Sequence, residues 1–142
     1  MSVANNVSQA VTDILVMFTN VWGGLACDIP GSPFKAPSSD TVWARWRIQH
    51  ETGGQNSLAN VVGKRRFNRG GTVFIQIFTP LNNGVEMAYD LAEIVVGAYE
   101  GKRTASGAWF RNIRMNEVDN ETDVAGMQQI NVLVDFDYDQ IH

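Results

Sequence analysis

Few side chains in this 142-residue sequence are spaced for chemistry. His50 and His142 are the only histidines and Cys27 is the only cysteine. Neither histidine has a second one three or four residues away, and Cys27 has no C-x-x-C partner, so no zinc site is expected. A hydrolase needs a nucleophile and a base to activate it. The serines here sit in no G-x-S-x-G turn and have no histidine context. The doublets Gly53-Gly54 and Gly70-Gly71 lack the spacing that presents successive N–H groups to a phosphate, and they read as turn glycines. No catalytic residue, metal or cofactor is expected.

Charge offers two further candidates. Lys64, Arg65, Arg66 and Arg69 form the one basic cluster, written KRRFNRGG over 64–71. On a strand Lys64 and Arg66 would share one face and Arg65 would take the other. Basic groups beside an aromatic such as Phe67 are one way to hold single-stranded nucleic acid. The chain as a whole carries a formal charge of −4, which argues against broad, non-specific binding of that kind. A polar protein interface or a solvated strand fits the cluster better. Asp135, Asp137 and Asp139 alternate along a closing strand, so their carboxylates share a face. A solvated face is the expectation, with divalent-cation binding as the alternative. Phe34 stands among Pro30, Pro33 and Pro37, where an aromatic either covers its own core or reaches a neighbour.

The elements that must position these residues can be read from periodicity. Val7, Val11, Ile14, Leu15 and Phe18 fall on one face of a first helix, which Gly23-Gly24 ends. The stretch 23–40 is rich in glycine, proline and serine and reads as a long loop without a regular element. A strand follows over 41–51, with Val42, Ala44, Trp46 and Ile48 on one face and Arg45 and Arg47 on the other. Trp43 is an aromatic on the arginine side. A second strand is expected over 61–68, then a tight turn at Arg69-Gly70-Gly71, then a third over 72–79. The third is apolar on both faces and should be central.

Asn83 and Glu86 have the spacing of a capping box. Val85, Ala88, Leu91, Ala92, Val95, Val96 and Tyr99 make the apolar stripe of a second helix, with Glu86, Asp90, Glu93 and Glu100 largely off it. Strands over 108–118 and 128–138 close the chain, the last with one buried face and one wet face. The fold class is therefore α+β: one domain over 1–142, a mainly antiparallel sheet of about five strands with two helices packed on it, in the order α-βββ-α-ββ.

A chain of this length buries a core without disulfides or structural metal. A single thiol makes no intrachain bridge, which suits a reducing cytoplasm. Asn5, Asn6, Gln9, Thr12 and Asp13 interrupt the first apolar stretch, and no Lys or Arg precedes it, so neither a signal peptide nor a membrane span is expected.

The order of features carries a resemblance. VWARWRIQH at 42–50 is followed by GGQNSL at 53–58, a basic strand closing on Gly70-Gly71, TVFIQIFTP at 72–80, and NNGVEMAYDLAEIVVGAYEG at 82–101. This succession resembles the tail terminator (tail completion) proteins, minor tail proteins of long-tailed bacteriophages. In that family a Trp-bearing strand, a basic strand ending on glycine, a V-x-I-Q-I-F-x-P strand and a glycine-initiated amphipathic helix follow one another. The match is good over 42–100 and loose over the last two strands.

The resemblance implies a structural virion protein without enzyme activity. It implies a homo-oligomeric ring of six subunits that caps the tail tube at the head-proximal end. Such a ring stops tube growth and presents a surface to the head, and its subunits assemble in the host cytoplasm. The implied partners are a second copy of the chain, the tail tube protein and a head-completion or connector protein, with DNA only passing through the hole.

Our own assignment places Phe34, Lys64, Arg65, Arg66 and Arg69 at subunit or partner contacts and Asp135 and Asp137 toward the channel. An acidic lining lets a duplex slide where a basic one would hold it. Another head–tail joining (neck) subunit and a small nucleic-acid-binding module are the alternatives.

Overall fold

The computed structural model describes residues 6–35, 37, 41–55, 62, 64–81, 84–118 and 127–141. The first helix, α1, is Val7–Trp22. Asn6 caps it: its side-chain oxygen accepts from the Gln9 N–H at 2.8 Å, satisfying one of the free donors of the first turn. Gly23 ends it at φ 67, a backbone angle that favours glycine. Ala10, Ile14, Phe18 and Trp22, spaced every fourth residue, form its buried edge. Val11 and Leu15 flank that edge, and Val7 is exposed.

Three strands follow, as the order α-βββ-α-ββ requires, but they are not the three read from sequence. β1 is Ala26–Asp28, inside the stretch expected to be loop throughout. It pairs in parallel with β2, Trp43–Gln55, through Ala26–Trp43, Cys27–Ala44 and Asp28–Arg45. Three residues are too few to show a period, so only the partner strand reveals them. β3 is Arg66–Pro80, a single unbroken strand where a strand, a turn and another strand were expected. Val62 and Lys64 lie in turns ahead of it.

Gly70 and Gly71 are therefore not turn residues. β2 is bulged between His50 and Thr52, which drives its backbone against β3. A Cβ on Gly71 would overlap the Gln49 carbonyl oxygen and come within 2.8 Å of the His50 Cα. One on Gly70 would lie 2.7 Å from Asp137 Oδ1. At Gly71 two backbones pass close together, whereas at Gly70 the space is taken chiefly by the Asp137 and Thr52 side chains.

The remaining elements are α2, Gly84–Tyr99, β4, Trp109–Val118, and β5, Met127–Ile141. Asn83 of the expected capping box lies outside the described residues. Ala88, Ala92, Val95, Ala98 and Tyr99 are the buried side of α2, while Val85, expected in the stripe, is 63% exposed. The sheet order is β1-β2-β3-β5-β4, antiparallel except for β1–β2, with β3 at its centre as its two apolar faces require.

Both helices contribute to one core with one face of the sheet: Ala44 and Trp46 from β2, Val73, Ile75 and Ile77 from β3, and Ile130, Val132, Val134 and Phe136 from β5. Trp46 is 1% exposed, on the expected face. Its indole N–H donates to the Tyr99 hydroxyl at 3.3 Å, which donates to the Ile14 carbonyl at 2.8 Å. One polar relay thus ties β2, α2 and α1 inside the apolar core, with each donor matched to an acceptor. Among the described residues no helix is long and apolar enough to cross a membrane.

Candidate functional site

Among the described residues no helix packs on the second face of the sheet. Strand alternation puts Trp43, Arg45 and Arg47 of β2 on it, with Thr72, Phe74, Gln76 and Phe78 of β3 and the odd-numbered residues of β5. It divides into an aromatic end, a mixed middle and an ionic end.

At the aromatic end Trp43 stacks on Phe78, ring centroids 4.2 Å apart, with Met127 beside them. Phe34 closes over this cluster, 5.2 Å from Trp43 and half-buried against its own chain. The open-faced Trp43 of the sequence is thus 1% exposed. Its indole nitrogen and the Thr79 hydroxyl are buried with no hydrogen-bond partner among the described residues.

Arg45 and Arg47 converge on Asp28 of β1, at 3.3 Å and 3.1 Å. Arg45 also donates to Gln76 at 3.0 Å and lies over the Trp43 and Phe78 rings at 5.4 Å and 5.8 Å. These contacts fix the short edge strand. Cys27, the middle residue of that strand, packs against the covered-face core instead, and its burial together with the Asp28 charge pushes its thiol up to about 11. A thiol held protonated is a poor nucleophile.

The ionic end is built around Asp135, Asp137 and Asp139. It corrects the expectation of a wet face on β5: Asp137 is 8% and Gln129 4% exposed. Arg111 of β4 donates to Asp137 at 2.8 Å and approaches Asp135 at 3.7 Å. Arg114 reaches Asp135 at 3.3 Å, and Thr72 and Asn112 both donate to it at 3.0 Å. Burial raises the Asp135 pKa, but the hydrogen bonds from Asn112, Thr72 and Arg114 outweigh it and hold it below its ordinary 3.8. Arg66 of β3 pairs with Asp139 at 3.8 Å.

Residues three apart in a regular strand face opposite ways. Arg111 and Arg114 face the same way because β4 is bulged between them, with Asn112 at φ 52. Among the described residues no group of three or more His, Cys, Asp and Glu could hold a metal ion.

The basic cluster sits on an arm. β4 leaves β5 at the Trp109–Asp137 pair, and β1 covers β2 only over 43–45, so past these points three strands continue alone. They are β2 to Gln55, β3 from Arg66 and β5 to Ile141. Alternation then splits the cluster. Arg66 joins the acidic ladder on the open face, so this one member of the cluster shares a surface with the carboxylates. Arg65 and Arg69 lie on the other side, each 5.6 Å from the Phe67 ring, and Arg69 donates to Gln140 at 3.3 Å. Lys64 is exposed at the turn. His50 meets the Tyr138 hydroxyl at 2.7 Å at the base of this arm; burial and the nearby Arg69 lower its pKa, favouring the neutral ring.

Solved structures share this architecture. One, of a protein carrying only a serial identifier, superposes with a TM-score of 0.60 over 94% of this chain and 96% of its own, at 13% identity. A chain from the virion of a native gene transfer agent (GTA) particle superposes with a TM-score of 0.51 at 14% identity, over 90% of this chain and 92% of its own. At these identities the likeness is one of fold. No protein-family model matches the sequence, and no curated protein is similar to it in sequence.

Sequence reasoning found the basic cluster and the acidic ladder but missed Arg111, Arg114 and Asp28, which hold the open face together. The only signal for the first two is an asparagine, tolerant of positive φ, lying between two arginines in an otherwise regular strand.

Proposed function

We propose that this protein is a structural subunit of a phage-type virion, and that it works as a tail terminator: a ring capping the head-proximal end of the tail tube. The observation that carries the reading is the end-to-end fold match, without large insertions on either side, to a chain of a gene transfer agent virion. The order of motifs over 42–100 points the same way. So does the open face, where the half-exposed side chains of Arg47, Arg111 and Arg114 offer polar groups to another protein.

On this reading the chain has no enzymatic role. Its partners are copies of itself, the tail tube protein and a head-completion or connector protein, with DNA threading the hole. Phe34, Lys64, Arg65, Arg66 and Arg69 stay assigned to contacts and Asp135 and Asp137 to the channel side, although Phe34, Arg65, Arg66, Arg69 and both carboxylates also bind within their own chain. A ring needs heterologous contacts that close.

Electron microscopy of the purified protein, alone and mixed with tail tubes, tests this directly. Rings with a central hole, or a cap at one tube end, are expected. A chain that stays monomeric even in assembled particles would sink the proposal. A ring found on the portal side, away from the tube, would favour a neck subunit instead.

A further inference from the structure

The outer side of α2 is a long surface with charge of a single sign. Glu86, Asp90, Glu93 and Glu100 follow one another at intervals of four, three and seven residues, so they form one row along the helix. All four are exposed. The helix from Gly84 to Tyr99 contains no Lys or Arg. Apolar side chains left uncovered flank the row: Val85 and Tyr89 on one side, 63% and 43% exposed, and Ile94 on the other, 48% exposed.

An acidic helix face with apolar margins is matched in kind by one other part of the same chain. The arm carries Lys64, Arg65, Arg66 and Arg69 within six residues, with Phe67 among them. The arm cannot reach its own helix at Glu86. Arg66 starts β3 and Pro80 ends it, and a strand of that length spans roughly 45 Å at 3.3 Å per residue. Glu86 lies just beyond the far end.

We infer that the basic arm of one copy docks on the acidic outer face of α2 of the next copy. The inference rests on the ring reading above and supplies the contact that closes it. Donor and acceptor surfaces are different, and the length of β3 separates the arm from the Glu86 end of the helix. The contact is therefore heterologous: each copy gives an arm to one neighbour and receives one from the other. Opposite charge steers the two together, and Val85, Tyr89 and Ile94 supply apolar area against Phe67 and the arginine stems.

The test uses two charge-reversed chains, Lys64→Glu/Arg65→Glu on the arm and Glu86→Lys/Asp90→Lys on the helix. Both change exposed or half-exposed side chains, so each should keep the wild-type melting curve, which circular dichroism checks. Self-association is followed by sedimentation at low salt over a wide concentration range. Each reversed chain alone should associate about a hundredfold more weakly than wild type, the loss expected when close charge pairs across an interface are reversed. An equal mixture of the two should recover association, because at the reversed positions each arm again meets opposite charge on a helix.

Reversed chains that assemble like wild type would overturn this contact and leave the ring reading standing. So would a mixture that fails to recover. A wild-type chain that never associates, alone or on tail tubes, removes the ring reading and this contact together. Substituting Lys64→Ala/Arg65→Ala gives an independent check: association should weaken and lose part of its salt dependence.

Discussion

The two faces of the sheet are solved in different ways by the same strands. On the covered face, β2, β3 and β5 present Ala44, Trp46, Val73, Ile75, Ile77, Val132 and Val134 to two helices, and nearly all are fully buried. Each of these valines and isoleucines contributes about 1.5–3 kcal/mol by leaving water, with no titrating group involved. On the open face the strands present arginines, aspartates and amides that cover one another. Arg111, Arg114 and Arg47 stay 52%, 38% and 43% exposed at the side chain, so each pair is worth on the order of 1 kcal/mol or less. The covered face holds the fold. The open face holds its own shape, and is free to be read by something else.

Three changes break or sharpen that contrast. The largest effect is expected from Trp46→Ala, which empties the centre of the covered face and leaves the Tyr99 hydroxyl without a donor. Loss of a large buried aromatic costs about 3–5 kcal/mol, read as a large drop in the denaturant midpoint. An unchanged midpoint would mean the faces have been assigned the wrong way round.

Next comes Gly71→Ala, which tests the boundary between body and arm. The obstacle is the Gln49 carbonyl and the His50 backbone, neither of which can rotate away. Overpacking of this kind costs roughly 1–3 kcal/mol, and a backbone obstacle puts it at the upper end. Gly54→Ala, where nothing lies within 4 Å of the new Cβ, is the control and should cost much less. Equal losses would show that the two backbones do not pass as closely as described.

The smallest effect is electrostatic and belongs to the open face alone. The Asp135 carboxyl titrates below its ordinary 3.8 in the folded chain. Its contribution to stability is therefore fully present above that value, and it is lost as pH falls through the lower folded pKa. Thermal melts between pH 5 and pH 2 should show the wild type losing stability in that window and Asp135→Asn losing less. Parallel curves for the two proteins would remove Asp135 from the account.

The covered face was largely legible in the sequence because it rests on periods of two and of about four. Ile130 to Tyr138 alternate as expected, Trp46 is buried as expected, and β3, apolar on both sides, is central. The open face was not, because its determinants are non-local or depend on bulges. Asp28 defines a three-residue strand only through Arg45 and Arg47, seventeen and nineteen residues later. Arg111 and Arg114 read as facing opposite ways until the bulge brings them onto one carboxylate. Gly70-Gly71 imitates a turn, since glycine marks tight turns and close backbone approach alike. Of the candidate site, the basic cluster and the acidic ladder were named from sequence, but not that Arg66 and Asp139 would be partners.

The relay from Trp46 through Tyr99 to Ile14 has a consequence for motion. Its three groups belong to elements far apart in sequence, and none can leave without stranding a polar partner in the core. Local fraying of α1 near Ile14 or of α2 near Tyr99 is thereby coupled to opening of β2. The Trp46 indole proton should accordingly exchange with deuterium as slowly as the central amides of β3, by the same cooperative opening. Protons on the arm should exchange far sooner, so the arm can adjust while the body that carries it stays closed.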